Sequence, residues 1–114
     1  MWDAEVIDAL TETVVTRLLV EGAAAHSVAV DLAARLAQDS PSLPALALAL
    51  PFALAAGAVE EMLGAGGQAR AAAQDAWRTA ALIGADALVL RGVGRDTMAG
   101  LHALWSAGDE GFTR

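Results

Sequence analysis

Two histidines, His26 and His102, and four serines, at 27, 40, 42 and 106, are the first residues to ask for chemistry. A metal centre in a helical bundle draws on Glu-x-x-His pairs, because that spacing turns both ligands to one side of a helix. No Glu-x-x-His occurs in this chain. Glu60 and Glu61 are adjacent, so on a helix they point about 100° apart and chelate poorly together. His102 could meet Asp109 or Glu110 downstream. Nucleophilic catalysis needs a serine whose base is in turn oriented by an acid, and such sets meet in space rather than in sequence. None of the serines has a matched base at a recognisable spacing. No catalytic residue, metal ligand or cofactor is therefore assigned.

Two motifs come close to known chemistry and depart from it. The stretch "ALVLRGVGRDTMAGL" has a run of apolar residues, a turn with Gly92 and Gly94, and a further glycine at 100. A dinucleotide fingerprint needs G-x-G-x-x-G, a following strand and an acidic residue about 20 positions on. The third glycine is misplaced here, and without any lysine a Walker A loop is excluded. A glycine-rich link between two helices accounts for the stretch. "AAAHSVAVDLAARLA" places His26 among small residues and resembles, faintly, histidine phosphotransfer modules. Those carry Lys-Gly soon after the histidine, where this chain has Val28-Ala29.

The elements that would position such residues are helical throughout. Val6, Ile7, Leu10, Val14 and Leu18 recur at helical spacing over residues 3–20, with Asp3 as N-cap and Gly22 as stop. Ala25, Val28, Leu32 and Leu36 form one stripe of a second helix over 23–38, with Asp31 and Arg35 placed to pair on its outer side. Pro41 and Pro44 end it. A third helix follows to about Leu63, and Pro51 is expected to kink or split it between Ala47 and Leu50. Residues 68–90 form the longest helix. Ala69, Ala73, Ala76, Trp77, Ala80, Ile83, Ala87 and Leu90 make its inner face, and Arg70, Gln74, Asp75 and Arg78 its outer one. Asp96 or Thr97 caps a last helix ending near Ala107, with Met98, Leu101, Leu104 and Trp105 inward. No segment alternates with period two. The expected fold is all-α, a bundle of five to six helices in one domain over 1–107, with a polar tail over 108–114. Trp77 and Trp105 are expected in the core.

Composition narrows function further. Fourteen acidic residues face seven basic ones, all arginine, giving a net charge of −7. The arginines are spread from Arg17 to Arg114, so the phosphate backbone of nucleic acid finds no basic patch. Cysteine is absent, which removes disulfides and thiol chemistry. The acidic start "MWDAEVIDALTE" does not read as a secretory signal, and the expected location is the cytoplasm. Only 18% of residues are charged against 56% hydrophobic, although alanine supplies about a quarter of the chain.

The most unusual stretch runs uncharged from Ser40 to Val59. It reaches the length of a membrane span, but its prolines, its alanine content and its acidic flanks, Asp39 and Glu60-Glu61, argue against one. A helix apolar nearly all round needs cover on every side, and four amphipathic neighbours cannot supply it. Completion of the bundle by a second copy or a protein partner is therefore expected. Leu46, Leu50, Phe52 and Leu54 are candidate interface residues, together with Trp2 and Phe112 at the ends. The function expected is self-assembly or protein–protein interaction without catalysis. The alternatives are a small apolar ligand held between the third and fourth helices with His26 or His102 at the rim, an enzyme of unrecognised type, and a membrane hairpin.

Overall fold

The computed structural model describes residues 4–61 and 66–106. Five α-helices and one 3₁₀ turn account for most of them. They are α1 (Ala4–Leu19), α2 (Ala25–Asp39), the 3₁₀ turn (Ala45–Leu48), α3 (Ala49–Glu60), α4 (Gly66–Gly92) and α5 (Met98–Ser106). The fold is all-α, and no strand occurs among the described residues.

The apolar window from Ser40 to Val59 is broken as its prolines require. Pro44 precedes the 3₁₀ turn, whose tighter winding carries the chain to Ala49. There α3 starts, with Pro51 in its first turn, where a missing backbone N–H costs no helical bond. The 12 residues of α3 span about 18 Å, well short of the ~30 Å hydrocarbon core. No helix among the described residues is long and apolar enough to cross a membrane.

One core joins all five helices. Leu10, Val14 and Leu18 of α1 meet Val28, Leu32 and Leu36 of α2. Leu48 and Phe52 come from the proline-rich segment, Ile83 and Leu90 from α4, and Met98, Leu101 and Trp105 from α5. The apolar stripes expected for α1, α2 and α5 face this core. Helix α3 packs most extensively on α4 and also against α1, while α5 lies chiefly on α2.

The links are tied down by backbone chemistry. Helix α4 ends in a Schellman motif: Arg95 N–H donates to the Leu90 carbonyl at 2.8 Å and Gly94 N–H to the Arg91 carbonyl at 3.2 Å. The motif requires a left-handed residue, which Gly94 supplies at φ 72°. Thr97 is the cap of α5, its Oγ1 accepting from Gly100 N–H at 3.2 Å. The α5 N-terminus is also stitched to the proline segment. Met98 N–H donates to the Leu43 carbonyl at 2.6 Å, Ala99 N–H to Pro41 at 3.1 Å, and Ala45 N–H returns to Asp96 at 2.9 Å. Two donors that a helix start leaves unsatisfied thus find partners in the loop between α2 and α3. The glycine-rich stretch at 92–94 is accordingly a helix-to-helix connection.

Candidate functional site: an exposed apolar seam on α3 and α4

Helix α3 buries one face and exposes another. Pro51, Phe52, Ala55, Ala56 and Val59 point into the protomer. Leu46, Leu50 and Leu54, spaced by four, remain 58%, 45% and 49% exposed. Phe52, expected at an interface, is fully buried in the chain's own core. It lies two residues from both Leu50 and Leu54, about 200° away around the helix, so it shares the buried row instead.

The neighbouring helix continues the exposed surface. Along α4, Trp77, Ala81, Gly84, Leu88 and Arg91 recur at intervals of four, three, four and three. That is the spacing of one heptad seam on one side of a helix. Trp77 is 46% and Leu88 67% exposed, and Ala81 and Arg91 are exposed as well. The core position expected for Trp77 is therefore corrected. The buried face of α4 runs through Ala73, Ala76, Thr79, Ile83, Asp86, Ala87 and Leu90, and Trp77 stands about 100° from its centre. The ring is held at the surface by its Nε1–H, which donates to Glu60 Oε1 at the end of α3.

Two contacts fix how α3 and α4 lie together. A Cβ placed on Gly84 would meet Leu46 Cδ1 at 3.9 Å, and Glu60 bonds Trp77. The helices therefore run antiparallel, with Leu46 beside Gly84 and Glu60 beside Trp77. Leu46, Leu50 and Leu54 thus run from beside Gly84 toward the Trp77 end of the α4 seam. Between them the surface is uncharged, with Glu60 at one end and Arg91 at the other.

The remaining expected site residues are scattered. His26 is exposed near the start of α2. His102, half-buried, lines a shallow groove between α2 and α5 with Asp31, Arg35, Gln38 and Ala99. That groove is partly charged and involves neither α3 nor α4, where a ligand pocket was expected. Ser106 Oγ lies 3.4 Å from His102 Nδ1, both on the surface of α5. Trp2 and Phe112 lie outside the described residues, as do Asp109, Glu110 and the rest of the tail. Among the described residues, no three His, Asp or Glu side chains gather as a metal site would need.

Three polar roles were not foreseen from the sequence. Asp86 is buried and accepts the Trp105 indole N–H at 2.9 Å, bridging α4 and α5 inside the core. Asp75, expected on an outer face, is half-buried and accepts Ala25 N–H at 2.7 Å, capping α2 from fifty residues away. Asp31 pairs with Arg17 of α1 at 2.9 Å, where its i+4 neighbour Arg35 was expected. The signals were present but silent: Asp86 falls one turn from Ile83 and Leu90 on the inner stripe, and the sequence before α2, "GAAA", offers no capping side chain.

Comparison with protein-family models, curated proteins and solved structures finds no match for this chain.

Proposed function

We propose that the chain is a non-catalytic self-assembly module whose working surface is the seam of α3 and α4. The observation that carries this is the exposed row Leu46, Leu50, Leu54, joined to the α4 seam of Trp77 and Leu88 where Leu46 meets Gly84, all five side chains apolar and at least 45% exposed. Apolar side chains scattered singly over a surface need no explanation, whereas a contiguous patch marks an interaction site. These five side chains leave roughly 500 Å² accessible per copy, within the range of the largest patch on a typical monomer. Two such faces together remove about 1,000 Å², the lower bound of a specific interface. A reversible dimer with micromolar dissociation follows, rather than an obligate one.

The acidic balance supports the same face. Each copy carries −7, so association is favoured on a face with few like charges, where the general repulsion between copies is least. Binding of a small apolar ligand has less support, since the groove at His102 is open and lined by Asp31, Arg35 and Gln38. Sedimentation equilibrium over a concentration series tests the proposal. A weight-average mass rising toward twice the chain mass in the micromolar range is expected. A strict monomer at high micromolar concentration would overturn it.

A further inference from the structure

The seam also carries information about how a second copy would sit. We infer that two copies pair α4 against α4 antiparallel, around a two-fold axis at Gly84, so that the Glu60–Trp77 end of each faces Arg91 of the other. This rests on the self-association proposed above and deepens it.

The register follows from three observations. First, position 84 is the midpoint of Trp77 and Arg91 on the exposed heptad seam. An axis there sets residue i of one helix opposite residue 168 − i of the other, so 77 meets 91. Second, the ends differ in charge. Glu60 is fixed at Trp77 by the indole bond, and Arg91 is exposed some 21 Å along the helix. A two-fold axis perpendicular to the helices brings opposite ends together, so each guanidinium arrives beside a carboxylate and over an indole face. A parallel pairing would instead set Glu60 on Glu60 and Arg91 on Arg91. Third, the centre of the seam is built from Ala81 and Gly84, which lets the helix axes approach to about 9 Å. Leu46, Leu50 and Leu54 then flank the partner's α4 on one side, and symmetry supplies the same row on the other. Arg70, on the same side of α4 two turns before Trp77, falls outside the overlap, because the partner's helix ends at Gly92, opposite Ala76.

The chain has no cysteine, so single cysteines can be placed at will. Gly84→Cys puts two thiols across the axis, within the 4.4–6.8 Å Cα separation that a disulfide accepts. Space for the new Cβ exists at ordinary contact distance from Leu46. Ala81→Cys lies three residues off the axis, so its two copies are displaced by about 9 Å along the helix and fail to bridge. Under mild oxidation, Gly84→Cys is expected to give a covalent dimer and Ala81→Cys none. Bridging of both would mean parallel pairing, and bridging of neither, with dimer mass retained, would mean another face. Either result overturns the inference and leaves self-association standing, whereas loss of the dimer in the unmodified chain removes both.

Charge exchange gives an independent readout. Glu60→Arg and Arg91→Glu should each weaken dimerisation by about tenfold, since symmetry repeats each contact twice. The combination should restore affinity to within about threefold. A double variant as weak as the sum of the single ones would contradict the register.

Discussion

At the scale of single residues, two buried or half-buried carboxylates do structural work that their charge alone would not suggest. Asp86 sits inside the core as acceptor for the Trp105 indole. Its replacement by alanine removes a buried bond and is expected to cost about 1–3 kcal/mol. Asp86→Asn keeps an acceptor oxygen and should cost markedly less, and urea denaturation of the two variants separates them. Asp75 caps α2 across the fold. Asp75→Ala should lower stability by about 1 kcal/mol, with a loss of helical signal confined to part of the chain. A change within error for Asp75→Ala would show the cap to be idle. Neither role was legible beforehand, because a sequence shows that a helix start lacks a local cap but not which distant side chain supplies it. Trp77 failed for a related reason. Its spacing places it at the margin of the inner stripe, and a margin residue turns in or out according to what its neighbours leave open. Here Glu60 offers an acceptor at the surface.

At the scale of elements, the sequence was far more explicit. Among the described residues, periodicity and punctuation placed α1, α2, α4 and α5 to within about two residues, and the third helix except for its start, because proline and glycine act locally. Pro51 could not lie deep in a helix, and the change from 3₁₀ to α winding at Ala49 places it in a first turn. What periodicity could not give was the docking of α5, which depends on main-chain bonds from Met98 and Ala99 to Leu43 and Pro41. Gly100 is the tight point of this arrangement, since a Cβ there would stand 2.0 Å from the Arg95 carbonyl oxygen. Gly100→Ala must therefore displace the 93–97 connection, and a loss of about 1–3 kcal/mol is expected in thermal or chemical unfolding. An unchanged midpoint would mean that this turn is loosely held.

At the scale of the whole molecule, the central question is what covers the apolar helix. The composition implied that one chain could not wrap it, and the described residues leave Leu46, Leu50 and Leu54 uncovered beside Trp77 and Leu88. The face was legible as a helix without a polar side. Which of its residues stay outside was not, and Phe52 turned inward because it shares a row with Leu48, Ala55 and Val59. The most direct test is the solution mass of the chain with and without Leu50→Glu and Leu54→Glu. Both positions are exposed, so the double substitution should leave the helical spectrum intact. The unmodified chain is expected to reach dimer mass at high micromolar concentration while the double variant stays monomeric. Equal masses for the two, whether both monomeric or both dimeric, would contradict it.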